Sequence, residues 1–161
     1  MFSKIEKTAF PPSEKPVMVW DGNCGFCHYW ITRWKSKTGD RINYKAFQEA
    51  ADQFQDIPLK EFKKASLLIE PNGLVYSGPD SAYRSFTYFE DEASRWHTWY
   101  IKSAWFTFLS DHAYNFIAKN RNTMFVITKI CFGKDPTAIK PYWFIILLFI
   151  FTLIIGYFKF L

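Results

Sequence analysis

The feature that most limits what this chain can become is a short apolar run, Val17 to Trp20. It is followed at once by the turn residues Asp21-Gly22-Asn23 and then by Cys24-Gly25-Phe26-Cys27. An apolar run of this length, closed by a turn signal, reads as a buried strand. From Cys27 onward apolar positions recur at Trp30, Ile31 and Trp34, with Arg33, Lys35 and Lys37 between or beyond them, a helical period ending near Gly39. The two cysteines therefore fall where a strand turns into a helix. Residues three apart on a first helical turn lie about 5 Å from one another, within reach of a disulfide, and the helix N-terminus favours a thiolate at the first. That placement points to thiol–disulfide exchange, with Cys24 attacking and Cys27 resolving the mixed disulfide.

The flanking chain supplies the remaining elements. Residues 1–15 are a polar lead, which carries Pro11 and Pro12. Arg41 to Phe47 alternates well enough for a second strand, and a polar, helix-compatible stretch runs to Lys64. Ser66 to Ile69 and Leu74 to Ser77 read as a hairpin about the turn Pro71-Asn72-Gly73, and Asp80 or Ser81 is a candidate cap for a helix reaching Phe89. Strand, helix, strand, helix, hairpin, helix is the order of a thioredoxin-like α/β domain, expected over residues 16–90. Residues 91–140 then read as a helical extension with a juxtamembrane segment. Ala93 to Leu109 is rich in Trp and Phe, with Ser110-Asp111 as a candidate cap for the next helix. Aromatics at this spacing either pack on the domain or rest at a membrane interface.

Residues 141–161 form the last segment, and from Tyr142 to Phe158 it carries no charge. These 17 residues span about 25 Å as a helix, and about 31 Å when the helix continues to Leu161 with Lys159 snorkelling. A chain of 161 residues lacks the protein to bury a helix that is apolar on every side, so one C-terminal transmembrane helix is expected. Arg121, Lys129, Lys134 and Lys140 precede it and only Lys159 follows, which by the positive-inside rule keeps the N-terminal domain in the cytoplasm. Met1 to Lys15 shows no apolar core of a signal peptide. This tail takes up part of an aromatic content of 21%. The formal charge of +5 is too small to select a partner, and with no recognised motif a nucleic-acid function is not expected.

Three cysteines in a cytosol-facing chain do not make a structural disulfide framework. The Cys24/Cys27 pair is then redox, metal-binding or haem-attaching. Cys24-Gly25-Phe26-Cys27-His28 also fits the c-type haem pattern, but a strand precedes it and no export signal accompanies it. Zinc would need a second ligand pair, whereas His97, His112 and Cys131 are scattered. Neither cofactor nor metal is expected. Asp21 has two readings: proton acceptor for Cys27, or an Asx-type cap on the turn at Gly22 and Asn23. Gly22 is expected to adopt a positive φ. Phe26 is either a lid beside the thiols or a core ring.

The run from Val17 through Trp20-Asp21-Gly22-Asn23-Cys24-Gly25-Phe26-Cys27 resembles the DCC family of predicted thiol-disulfide oxidoreductases, known by an Asp-x-x-Cys-x-x-Cys signature. Asn72 to Gly78 with Asp80-Ser81-Ala82, and Asp111 to Tyr114 with Ile117 to Arg121, resemble its downstream blocks, so the likeness covers roughly residues 16 to 131. The resemblance implies a thioredoxin-like fold and protein-disulfide reductase activity, with Cys24 and Cys27 as the redox pair and Asp21 as signature residue. Its partners would be a protein or small disulfide substrate and a thiol electron donor, with the lipid bilayer holding the tail. One departure stands out. Thioredoxins have a cis-proline before the third strand, and the matching position here is Ala65, expected to be trans because a non-proline cis bond costs about 3 kcal/mol. A non-catalytic tethered module is the alternative function.

Overall fold

The structure is a computed structural model and describes residues 5–89 and 95–159, with the side chains of Ile146 and residues 156–159 outside that description. It is an α/β domain built on one mixed sheet. Strand β1 (Val17–Trp20) leads into helix α1 (Gly25–Thr38), and a 3-10 turn then delivers β2 (Asn43–Ala46). Short helices α2 (Phe47–Ala50) and α3 (Leu59–Lys64) precede the hairpin β3 (Leu67–Ile69) and β4 (Val75–Ser77), and α4 (Pro79–Ser85) follows. The sheet order is β2-β1-β3-β4, with β1 parallel to β2 and antiparallel to β3, and β3 antiparallel to β4. The element order predicted from the sequence is the one observed.

The two-residue period of the strands divides the core. Val17 and Val19 face one side with Leu67, Ile69, Phe54 and Phe62, while Met18 and Leu68 face the other with Ile31 and Ile42. Both faces of β1 are thus covered, and Met18 and Val19 have no exposed surface. Gly73 takes φ 84° in the hairpin turn, which a side chain would strain. The lead contributes to the sheet as well. Lys7 bridges Leu74, and the Thr8 N–H donates to the Gly73 carbonyl at 2.9 Å, covering the edge of β4. The carboxylate of Asp56 accepts from the Thr8 hydroxyl at 2.6 Å, and this bond holds it below the ordinary carboxylate range.

On the far side of the hairpin, Glu70 is buried but satisfied, accepting from Arg84 Nε at 2.7 Å and from the Tyr88 hydroxyl at 2.7 Å. The cap of α4 is Gly78, at φ 61°, and not Asp80 or Ser81, so the helix begins at Pro79 and takes both of those residues into its first turn. Ser81 sits inside the first turn, where its hydroxyl donates to the Gly78 carbonyl.

Beyond the sheet run α5 (Trp96–Lys102), α6 (Ala104–Lys119) and α7 (Arg121–Phe132). The break expected at Ser110-Asp111 falls instead at Ser103, whose hydroxyl caps α6 by accepting from the Phe106 N–H. Ser110 and Asp111 are mid-helix and buried, and the Asp111 carboxylate accepts from the Tyr100 hydroxyl at 2.7 Å. Residues 93 and 94 of the expected Trp-rich helix lie outside the described residues. Part of it packs on the domain, where Trp96 stacks on Tyr83 and Tyr100 is buried, while Trp105 and Phe108 stay 72% and 62% exposed.

Helix α8 covers Tyr142–Lys159, and its described side chains from Tyr142 to Ile155 are exposed. Among the described residues no helix is long and apolar enough to cross a membrane. The span expected over 141–161 is therefore not found there: the described side chains of α8 end at Ile155, about 21 Å of helix from Tyr142.

Two tyrosines make the packing testable. Burial raises Tyr44 to about 12, offset in part by its bond to Thr38, and burial with the bond to Glu70 raises Tyr88 to about 12. In the unfolded chain both titrate near 10. The stability they contribute is fully present below about pH 10 and is lost as pH rises through about 12. Phenolate absorbance should show a late-titrating group near pH 12 that coincides with loss of the native fold, and titration of every tyrosine near pH 10 would contradict the packing.

Candidate active site

The site forms where β1 ends. Asp21 closes the strand by accepting the Cys24 N–H on its carbonyl at 3.1 Å, while its carboxylate Oδ1 accepts the Asn23 N–H at 3.2 Å and Gln48 Nε2 at 3.0 Å. The Asx-type cap is thus present. Gly22 does not adopt a positive φ, contrary to expectation. The reason for glycine is space: a Cβ there would lie 2.8 Å from the Ala46 Cβ.

Cys24 is the N-cap of α1. Its Sγ accepts the Cys27 N–H at 3.1 Å and its carbonyl accepts the His28 N–H at 2.9 Å. Cys24 and Cys27 are paired as a disulfide with Cα atoms 5.1 Å apart. In the reduced pair, an N–H aimed at the first sulfur and the positive end of the helix both favour the thiolate over the thiol. His28 is exposed, with its ring edge-on to Trp20 at 5.7 Å. His97 lies beside Asp80, far along the chain from Cys131, and among the described residues no three His, Cys, Asp or Glu side chains cluster as a metal site.

The helical extension closes over this motif, which sequence reasoning did not foresee. Arg121, at the start of α7, donates from Nη1 to Asp21 Oδ2 at 3.0 Å and from Nη2 to the Lys64 carbonyl at 3.2 Å. From α6, the Tyr114 hydroxyl accepts the Ser66 N–H at 3.2 Å. Phe125 lies so close to Gly25 that a Cβ there would meet its ring at 3.0 Å. Trp30 on α1 meets Phe132 on α7 edge-on, with centroids 5.8 Å apart. The signal for Tyr114 and Arg121 was their position in the downstream family-like blocks, but no spacing rule joins residues 100 apart. The described peptide bonds include no cis bond, as expected for Ala65.

Between motif and extension lies an apolar cavity of about 200 Å³ with Cys27, Phe26 and Trp30 on its wall. Phe26 is thus a ring beside the thiols. Residues 18–126 match the family of DCC1-like thiol-disulfide oxidoreductases. The chain belongs to that family. No curated protein and no solved structure matches it. The match runs from β1 into α7, so the DCC1-like region takes in the sheet, the CxxC pair and the helices carrying Tyr114 and Arg121.

Gly22→Ala tests how the motif is seated. Its Cβ must displace either β2 or the turn that presents Cys24, and overpacking of this kind costs about 1–3 kcal/mol. A lowered thermal midpoint of the oxidised chain is expected, and an unchanged midpoint would show that the turn is not held against Ala46.

Proposed function

We propose that this chain is a thiol–disulfide oxidoreductase that reduces a protein or small-molecule disulfide, working from a thioredoxin-like domain held at a bilayer by its C-terminal helix. The observation that carries the reading is Cys24 at the N-cap of α1 with Cys27 at disulfide distance and its N–H aimed at the Cys24 sulfur. The sheet order, with the pair at the β1–α1 junction, supports the thioredoxin-like assignment.

In the reduced enzyme the Cys24 thiolate attacks one sulfur of the substrate disulfide, forming a mixed disulfide and releasing the first substrate thiolate. Cys27 then loses its proton and attacks the Cys24 sulfur. The second substrate thiol leaves, and the Cys24–Cys27 disulfide carries away the two electrons' worth of oxidation. A thiol donor returns the pair to the dithiol. Asp21 acts here as a positioning residue, since Asn23, Gln48 and Arg121 already engage its carboxylate.

The bilayer part rests on α8. Its described side chains are exposed and, Thr152 apart, apolar or aromatic, the uncharged sequence continues to Phe158, and Tyr142 and Trp143 stand at the end where interfacial rings belong. The basic residues preceding it assign the N-terminal domain to the cytoplasmic side.

Two experiments check these assignments. Cys24→Ser should reduce turnover of a disulfide substrate to background, while Cys27→Ser should accumulate a mixed disulfide visible by mass spectrometry. Turnover surviving in Cys24→Ser would refute the exchange mechanism, and thiols that never react would leave a tethered binding module. Separately, Leu148→Arg with Ile150→Arg places two charges mid-helix, each costing about 3 kcal/mol in a membrane. The full chain should resist alkaline extraction from membranes and the double variant should not; equal release of both would dispose of the anchor.

A further inference from the structure

Resting on the exchange reading above, the geometry points to a specific substrate class: the cavity against Cys27 takes the ring of a small, neutral disulfide bearing an aromatic group, in preference to an extended polypeptide. The cavity of about 200 Å³ lies between α1, the start of β3 and α6. Its wall includes Trp20, Phe26, Trp30, Trp34, Phe62 and Ile117, with Cys27 among them. An apolar cavity of about 150 Å³ is enough to hold a benzene ring. Four aromatic side chains of α1 and β1 supply the edges and faces that rings prefer as neighbours.

Charge selects a neutral ligand. The charged residues on the wall are Asp21 and Arg121, and they are paired with one another at 3.0 Å. An anionic or cationic substrate group would have to compete with that pair.

The backbone argues against a polypeptide. A substrate chain docks on a sheet by pairing with free N–H and C=O groups at an edge. Beside Cys27 the backbone that could serve is the segment leading into β3, where Ala65 and Ser66 line the cavity. Its Ser66 N–H is already given to Tyr114, and the Lys63 and Lys64 carbonyls accept from Arg121. β1 itself is paired with β2 along its whole length and with β3 from Val17 to Val19. A small disulfide needs none of these groups.

In turnover the Cys24 thiolate attacks one sulfur of the bound disulfide. Its S–S bond breaks, and one arylalkyl thiolate leaves and is protonated by water. Cys27 gives its proton to solvent and attacks the Cys24 sulfur, expelling the second thiolate. Dithiothreitol, as donor, then reduces the Cys24–Cys27 disulfide and is itself oxidised.

The test uses the full chain in detergent with dithiothreitol and three substrates: dibenzyl disulfide, hydroxyethyl disulfide and insulin. The two small disulfides release thiols of comparable basicity, so intrinsic reactivity does not favour either. At least tenfold higher kcat/KM for dibenzyl disulfide than for the other two is expected. Benzyl methyl sulfide, which cannot exchange, should quench tryptophan fluorescence saturably and compete with dibenzyl disulfide. Ala118→Phe, which adds a ring to the cavity wall, should weaken both effects at least tenfold in the same detergent. Equal turnover of hydroxyethyl disulfide, or preference for insulin, overturns the substrate assignment while leaving exchange intact. Saturable, Ala118→Phe-sensitive binding of benzyl methyl sulfide without turnover of any disulfide overturns exchange and keeps the ring site. Absence of saturable binding overturns the ring site outright.

Discussion

The double pairing of β1 is the constraint from which the active-site geometry follows. All four residues, Val17–Trp20, pair with β2 on one edge and Val17 to Val19 pair with β3 on the other, with Met18 buried in one core layer and Val19 in the opposite one. A strand fixed on four sides cannot slide, because a one-residue slip would send every buried side chain to the wrong face. Its end is therefore fixed as well, and the residues that follow have little freedom. The Asp21 carbonyl takes the Cys24 N–H, the side chain takes the Asn23 N–H, and Cys24 arrives at the helix N-cap. Thiol chemistry at this position is then set by backbone N–H groups that cannot move away.

The extension completes that arrangement instead of merely following it. An exposed ion pair would contribute little, but Asp21 and Arg121 are each about four-fifths covered, and Arg121 also caps carbonyls at the end of α3. One guanidinium thus joins the turn before Cys24, the segment before β3 and the start of α7. Tyr114 adds a second tie from α6 to Ser66, and Phe125 packs against Gly25. The consequence is a CxxC pair whose first sulfur meets the Cys27 N–H while the second faces an apolar wall. Cys24 sits at the helix N-terminus and Cys27 is half-buried against that wall, so the two cysteines have different surroundings.

Much of this was legible in the residue order because the signals are local. Val17 to Trp20 alternates between two faces, Pro71-Asn72-Gly73 turns tightly, and the CxxC spacing places both sulfurs on one helical turn. What was not legible depends on contacts between distant segments. Nothing near Gly22 reveals that Ala46 will lie against it, so conformational freedom was the natural reading and steric room is the actual one. Ser110 has the character of a cap in sequence, but α6 has already begun at Ser103, and the Tyr100 hydroxyl holds Asp111 inside it. The lead at residues 6–8 is polar and short, and the edge of β4 together with the Asp56 carboxylate gives it a place.

The abundance of aromatic side chains follows from the same division between the two sides of the extension. Towards the domain, Tyr83 on α4 gathers Trp96, Tyr100 and Phe106, and Trp30 on α1 meets Phe132, so rings hold the extension to the helices that flank the sheet. Away from it, Trp99, Trp105 and Phe108 remain exposed, as do Phe144, Ile145, Leu147 to Phe151 and Leu153 to Ile155 on α8. Exposed apolar surface on that scale is not what water selects in a monomer. Tryptophan, with an apolar body and one polar N–H, is the side chain suited to the boundary between water and lipid. The proposed attachment of α8 to a bilayer therefore gives the outward rings of α5 and α6 a physical setting, and it brings a cavity built for neutral aromatic groups close to the phase in which such molecules concentrate.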